Sequence, residues 1–512
     1  MPTESQRIAT LWLDMLARWA SDHAMLGRRA SVAVLVIQAL LCISAALTLV
    51  ALHGDGAWFV FAIGAGEAWT LKWAHLSTRV ATYVTVVVPT ELAEGTFRLS
   101  GPQTAMLYGF IFNLVPLAQF AACVALAWRR YPELLLFPVA QYAFATGLGF
   151  GFMSETLIGP GFFWICFFLI LRRPLALPLF AVCFAGLMFS HELLVPSALM
   201  IAIFAWSQRN GSGTVRGISA RSALLVLVCG VVLIAWSVVR LSGGGADGDT
   251  NAIVTLDPRR ILNDPTLWLV FAAVALLSLS VSALRFKISH RTLPMIVVAC
   301  GALPVLLHPW LNFAQGRYDS ARTLVGMVLL VLGAWAILTY VRRPWRPDPS
   351  LGRPLRAATP AILCAALAIN VGASVVFLWD WVEAREGFEH VARLKPSAVS
   401  PEFVEYQQAR SLLSPAEVVA NDRMGFPWTW PFRLAVLANN YSPGTVIFNS
   451  EDAHGICGSM RQVRPNAGSV PRATIESLAS FSCNAPQPPA RRRLFRRVLD
   501  AIESIFGKRP PS

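Results

Sequence analysis

Two carboxylates stand where apolar segments of this chain begin or end. Asp55 follows a long apolar segment in HGDGAWF, and Glu155 opens another in MSETLIGPG. A carboxylate beside a lipid-facing cavity can take the proton from an acceptor hydroxyl group. Gly54 and Gly56 flank Asp55 and permit close approach of the backbone or a ligand. We therefore regard Asp55 and Glu155 as candidate catalytic residues.

A histidine and two arginines lie between two later apolar segments. His308, Arg317 and Arg322 all belong to the stretch HPWLNFAQGRYDSARTL. Arginine holds phosphate oxygens through paired hydrogen bonds and stabilises a phosphate as a leaving group, while histidine orients or donates. These three residues are candidate ligands of a donor phosphate.

Three further polar residues are candidates for substrate binding. His191 and Glu192 lie in FSHELLVP, and Glu67 lies in the loop that follows Asp55. Charged residues are excluded from the middle of any membrane span, so each of them taken alone also fits an ordinary helix end. Gathered at one level beside the lipid, the whole set would suit transfer of a sugar from a lipid-linked phosphate to an acceptor.

The composition indicates a membrane protein. Hydrophobic residues make up 55% of the 512 residues and charged residues only 14%, with a mean hydropathy of +0.55. Soluble domains carry about 25% charged residues. Repeated apolar runs of about 18 residues or more predict membrane-spanning helices, and their lack of alternation excludes a membrane barrel. The sequence predicts an all-α polytopic membrane protein.

About eleven spans are predicted, and basic residues orient them. Lysine and arginine concentrate in alternate loops, which the positive-inside rule places in the cytoplasm together with residues 1–31. The net charge of +14 is therefore assigned to these loops, and no nucleic-acid partner is expected. The predicted spans lie near residues 32–52, 104–127, 133–150, 155–171, 174–190, 193–207, 222–240, 266–284, 292–308, 323–341 and 358–380.

The regions outside the spans have distinct characters. Within the transmembrane domain, residues 32–381, the long first outer loop, 53–103, contains apolar residues at helical spacing and predicts helices lying in the membrane interface. Residues 382–490 predict a small extracytoplasmic α/β domain, with a strand in PGTVIFNS after a turn. Residues 491–512 predict a basic amphipathic helix on a membrane surface.

Two of the nine cysteines lie outside the predicted spans. Cys457 and Cys483 would stand in an oxidising compartment, so they are a candidate disulfide. No cysteine and histidine spacing is typical of a metal site, and no cofactor motif is present. A divalent metal is possible but not indicated.

The layout resembles the GT-C class of integral membrane glycosyltransferases. The resemblance lies in a first span, a long outer loop with an acid close to the membrane in HGDGAWF, about eleven spans and an outer C-terminal domain. It implies a polyprenyl-phosphate-linked sugar donor, a glycan or lipid acceptor, contact with membrane lipids, and a location in a bacterial inner membrane. Asp55 would then be the base, Glu155 a second acid, and Arg317 or Arg322 the phosphate ligand.

Two other functions are compatible with the sequence. A transporter or lipid flippase needs polar residues through the membrane, and the predicted spans contain Gln38, Asn113, Gln119 and Gln141. A non-catalytic envelope assembly or anchoring protein would act through its C-terminal domain. For the glycosyltransferase, we expect Asp55→Asn to abolish transfer and to leave folding near normal, since an acid at the end of a span contributes little packing.

Overall fold

The structure of the chain is a computed structural model. It describes residues 4–66, 80–172, 176–208, 264–282, 292–314, 320–341, 349–393, 401–438, 441–461 and 468–484, with single residues 228, 231, 262, 316, 317 and 463. Within these ranges the side chains of residues 4–23, 192, 281–282, 349–357, 451 and 454–455 are not described. Glu67, the tail 491–512 and nearly all of the span predicted near 222–240 lie outside the described residues.

Four helical segments are long and apolar enough to cross a membrane: Ala24–Leu47, Gly101–Ala127, Ser320–Val341 and Ala358–Arg393. The first belongs to a helix that begins at Glu4, and the last to a helix that begins at Pro349. Large apolar side chains along the first segment are exposed at positions 32, 36, 40, 43 and 47. This spacing of three or four residues forms one face of the helix, which a lipid bilayer would cover.

The other apolar helices are shorter than about 18 residues or only just reach that length. They are Asp55–Gly64, Gly159–Leu171, Leu177–Met188, Val195–Ser207, Pro265–Ser282 and Thr292–Leu307. Short 3₁₀ turns precede two of them, at Glu155–Leu157 and Glu192–Leu194. The described residues thus contain four helices of clear membrane-crossing length, fewer than the eleven spans that the sequence predicts.

The span predicted near 133–150 is broken into short helical pieces. These are Pro132–Leu135, Leu136–Gln141, Tyr142–Thr146 and Gly147–Gly149, of 3₁₀, α, π and 3₁₀ type in that order. Proline lacks the N–H that an α-helix needs, and glycine weakens a helix interior. Mean hydropathy does not register these breaks, which explains why the sequence predicts one uniform helix.

The segment 53–103, predicted as the first outer loop, is helical on both sides of residues 67–79. Its first helix is Asp55–Gly64. A second helical stretch runs through Val80–Thr82, the π segment Tyr83–Val87 and Val88–Phe97. Val84, Leu92 and Phe97 are exposed on this stretch. The interfacial position of these helices stays a prediction.

The C-terminal part is mainly helical with one small sheet. Strands Glu402–Glu405 and Thr445–Phe448 pair in parallel, and the second is the strand predicted in PGTVIFNS. Cys457 and Cys483 form a disulfide between two of its helices. The helices of this part are Tyr406–Ala409, Pro415–Met424, Trp430–Leu437, Ala453–Met460 and Arg472–Asn484. Its 3₁₀ turns are Arg410–Leu412, Pro427–Thr429 and Ser450–Asp452. A further 3₁₀ turn, Val50–Leu52, precedes Asp55 near the other end of the chain.

This C-terminal part is packed directly onto the apolar helices. The helix Pro349–Arg393 continues through residue 382, so the predicted domain boundary falls inside a helix. One buried apolar cluster contains residues of the first loop, of Gly101–Ala127 and of the C-terminal helices. A Cβ atom on Gly64 would lie 2.6 Å from the Tyr441 ring, which shows how closely the two parts approach. They share one core at the end of the bundle where Asp55 lies.

Candidate functional site

Two glycines set the position of Asp55. Gly54 has a φ of +66°, a backbone conformation that residues other than glycine rarely adopt. A Cβ atom at this position would lie 2.7 Å from the Phe152 ring. A Cβ atom on Gly56 would lie 2.0 Å from the backbone oxygen of Ala51. Asp55 is the first residue of the helix Asp55–Gly64, where the helix dipole favours a negative charge.

Asp55 pairs with Arg322. Arg322 Nη2 donates to Asp55 Oδ2 at 3.1 Å, with side-chain exposures of 6% for the arginine and 20% for the aspartate. Arg322 lies in the π-helical segment Ser320–Leu324 at the start of a long apolar helix. Two of the predicted site residues are therefore in direct contact.

This ion pair changes the expectation that Asp55→Asn leaves folding near normal. That expectation assumed an acid that contributes little to packing. Because Arg322 is buried, removing the charge of Asp55 leaves a buried guanidinium without this counter-charge. We now expect a measurable loss of stability in Asp55→Asn.

Glu155 lies beside this pair. It opens a 3₁₀ turn and is 4% exposed. The next residue, Thr156, donates from its hydroxyl group to the backbone oxygen of Ala321, the neighbour of Arg322. The hydroxyl group of buried Tyr108 lies within electrostatic range of both Glu155 and Asp55. We call the set Asp55, Tyr108, Glu155 and Arg322 the Asp55 site.

His53 supports the turn that carries Asp55. Its Nδ1 lies 2.9 Å from the backbone oxygen of Gly151, and its Nε2 lies 3.2 Å from that of Met424. Burial, followed by the charge of Arg433, lowers the pKa of His53 from 6.5 to about 4, although both backbone contacts favour the charged ring. The effect of complete burial beside a cation outweighs that of the two backbone contacts, so His53 is neutral and donates a hydrogen bond to one of the two oxygens.

Arg317 lies in the protein interior and binds backbone oxygens. It donates through Nε to Phe313 at 3.2 Å and through Nη1 to Phe150 at 2.9 Å, and it lies over the Phe377 ring at 5.0 Å. Burial lowers its pKa from 12.5 to about 10, and the charge of Asp264 opposes this shift. Since its side chain is enclosed and used on the backbone, we do not include Arg317 among the phosphate ligands.

Arg433 is a second enclosed arginine, which the sequence analysis did not select. Its Nε donates to the backbone oxygen of Leu52 at 3.1 Å, and its guanidinium lies 4.7 Å from the rings of both Trp381 and Phe388. Burial lowers its pKa from 12.5 to about 9. The C-terminal part is thus anchored to the turn just before Asp55. In the sequence, Arg433 is the single charged residue of the apolar stretch WTWPFRLAV, and this feature could have indicated an enclosed arginine.

The remaining predicted residues do not join the Asp55 site in the described part of the chain. His308 contacts Asp380 and Arg423. His191 is buried and accepts a hydrogen bond from the backbone N–H of Leu193 at 3.2 Å. The backbone of Glu192 begins a 3₁₀ turn, while its side chain, like all of Glu67, lies outside the described residues.

The Asp55 site contains side chains of the types that acid–base catalysis and anion binding use. Among the described residues, no group of three or more histidine, cysteine, aspartate or glutamate side chains is arranged to hold a metal ion. Tyr108, which the sequence analysis missed, adds a buried hydroxyl group whose oxygen has no hydrogen-bond partner in the described part of the structure. Two carboxylates, a guanidinium and a phenol therefore lie near one another at one end of the bundle, with Asp55 and Arg322 in direct contact.

A small cavity lies deeper among the apolar helices. It has a volume of about 30 Å³ and is lined by Gln38, Gln119 and Gln141 among apolar residues. This volume holds one or two water molecules and no sugar or lipid headgroup, since a water needs at least ~10–15 Å³.

Comparison of the chain with protein-family models, curated proteins and solved structures finds no match. The proposals below therefore rest on the Asp55 site and on the apolar helices that surround it.

Proposed function

We propose that this chain is a membrane glycosyltransferase that moves a sugar from a polyprenyl-phosphate donor to an envelope lipid or glycan acceptor. The proposed location is the outer face of a bacterial inner membrane, with residues 1–31 in the cytoplasm. The observation that carries the proposal is the contact between Asp55 and Arg322 beside Glu155. A base and an anion ligand stand together next to helices whose apolar faces are exposed.

Asp55 is the proposed proton acceptor. Its side chain is 20% exposed, against 6% for Arg322, and both Glu155 and Tyr108 are buried. In the proposed step the acceptor hydroxyl oxygen bonds to the anomeric carbon of the sugar, while its proton moves to an Asp55 carboxylate oxygen. The bond between the anomeric carbon and the donor phosphate oxygen breaks with its electron pair, so polyprenyl phosphate leaves.

Arg322 is the proposed ligand of that leaving phosphate. Phosphate gains negative charge as the bond breaks, and a guanidinium stabilises it by two parallel hydrogen bonds. The donor phosphate would compete with Asp55 for Arg322. Donor binding would then release Asp55 from its ion pair at the moment when a base is needed. Glu155 and Tyr108, both buried, are proposed to position the reacting groups.

The two alternatives receive different support. The glutamine-lined cavity is the feature that favours a transporter or flippase, but its volume of about 30 Å³ admits neither a sugar nor a lipid headgroup. An assembly or anchoring function would act through the C-terminal part. The close packing of that part on the turn beside Asp55 favours a role in shaping the Asp55 site.

Mass spectrometry of envelope glycans and glycolipids tests the function class in cells with and without the protein. We expect the deletion strain to lack one sugar on an acceptor and to accumulate the matching polyprenyl-phosphate sugar. An unchanged profile, with flux in proteoliposomes and no bond cleavage, would instead identify a transporter. An unchanged profile, with a phenotype that loss of the protein causes but Asp55→Asn and Glu155→Gln do not, would identify an anchoring protein.

A further inference from the structure

A groove separate from the Asp55 site opens where the last long apolar helix, Pro349–Arg393, gains its first acidic residues. Asp380 directly follows the apolar run SVVFLW, and Trp379 beside it is 63% exposed. The groove has a volume of about 380 Å³ and lies between this helix and the helix Pro415–Met424 of the C-terminal part. Exposed tryptophan next to the first acid is typical of the membrane interface.

Both charge signs line this groove. Asp380 and Glu383 provide carboxylates from one helix, and Arg423 provides a guanidinium from the other. Asp380 Oδ1 lies 3.2 Å from His308 Nε2 and 3.4 Å from Arg423 Nη1. Among the residues that line the groove, the two carboxylates therefore outnumber the single arginine.

One carboxylate oxygen of Asp380 accepts no hydrogen bond from the residues that the structure describes. The residue is 5% exposed, and its Oδ2 atom has no hydrogen-bond partner among the residues that the structure describes. A buried carboxylate oxygen without a donor is costly, because burial removes its water. A ligand with a cationic N–H donor would satisfy Oδ2, and Glu383 one turn later would add a second acceptor.

We propose that this groove binds the headgroup of a phospholipid that carries a primary ammonium group, as in phosphatidylethanolamine. The ammonium group would donate to Asp380 and Glu383, while Arg423 would hold the phosphate. The acyl chains would lie along the exposed apolar surface beside Trp379. A choline headgroup lacks the N–H donors, and a glycerol headgroup lacks the cation, so both should bind more weakly.

The test uses the full chain in nanodiscs with equal amounts of phosphatidylethanolamine, phosphatidylcholine and phosphatidylglycerol. Lipids that survive mild delipidation are counted by native mass spectrometry. We expect about tenfold preference for the ethanolamine lipid over the choline lipid, a difference typical of one charge-assisted hydrogen bond. Equal retention of the three lipids would overturn the proposal.

Variants locate the binding to the groove. Glu383→Gln should reduce the preference severalfold, and Asp380→Asn should abolish it. Glu386→Gln, an exposed acid on the same helix that does not line the groove, is the matched control and should retain it. A preference that survives both groove variants would refute this location. Displacement of the lipid by an equal concentration of soluble phosphoethanolamine would identify a free metabolite as the ligand and overturn the lipid proposal.

Discussion

Acidification should destabilise the folded protein through His53. The pKa of His53 is lowered from 6.5 to about 4 by burial and by the nearby charge of Arg433. Above pH 6.5 both folded and unfolded states hold a neutral ring, so His53 has no effect on the pH dependence. Between pH 6.5 and about 4, His53 is protonated in the unfolded chain but stays neutral in the folded protein. The free energy of unfolding therefore falls as the pH decreases through this range.

The size of this effect follows from the shift. One pKa unit corresponds to about 1.4 kcal/mol, so the shift from 6.5 to about 4 predicts a loss of about 3 kcal/mol when complete. About 2 kcal/mol of it should be lost by pH ~5. No discount for solvent screening applies, because His53 is fully buried between backbone oxygens.

Reversible unfolding in mixed micelles, followed by tryptophan fluorescence at several pH values, measures the effect. His53→Asn should be less stable at neutral pH but should lose less stability on acidification than the wild type. His390→Asn, at an exposed position on the helix Pro349–Arg393, is the control and should keep the wild-type pH dependence. Identical pH dependence in wild type and His53→Asn would refute the reasoning and indicate a charged ring that donates to both Gly151 and Met424.

Two further predictions concern the turn at Gly54 and the disulfide. Gly54→Ala should cost about 2 kcal/mol or more in the same unfolding assay, because φ is +66° and the Phe152 ring blocks a Cβ atom. Gly95→Ala, at a helical position with open space around it, should be neutral or stabilise by about 0.5–1 kcal/mol, and an equal cost at both glycines would contradict the account. Cys457→Ser should destabilise the C-terminal part by about 3 kcal/mol and make its unfolding insensitive to reducing agent. Unfolding of the wild-type protein that is equally insensitive to reducing agent would refute the disulfide.

The sequence predicts features that depend on residue type and local pattern. The apolar segments, the helical stretch within the loop 53–103 and the strand Thr445–Phe448 all follow from short-range patterns. The disulfide partners were identifiable because Cys457 and Cys483 are the two cysteines outside the predicted spans.

Long-range contacts could not be predicted in the same way. Arg317 and Arg322 stand five positions apart in one stretch, and nothing local indicates that one is enclosed by backbone oxygens and the other reaches Asp55. The meeting of His308 with Asp380 and Arg423 depends equally on how the C-terminal part packs. The span near 133–150 was predicted as one helix because hydropathy averages over the prolines and glycines that interrupt it.

The amount of sugar-modified acceptor in cells that contain only Asp55→Asn tests the role of Asp55 most directly. Product and unused polyprenyl-phosphate sugar are quantified by mass spectrometry and normalised to folded protein in the membrane, since loss of the Arg322 pair reduces stability. Glu386→Gln is the acid-to-amide control and should support wild-type product. We expect at least ~100-fold less product with Asp55→Asn, as for loss of a general base, and accumulation of the donor. Wild-type product from Asp55→Asn would contradict the account.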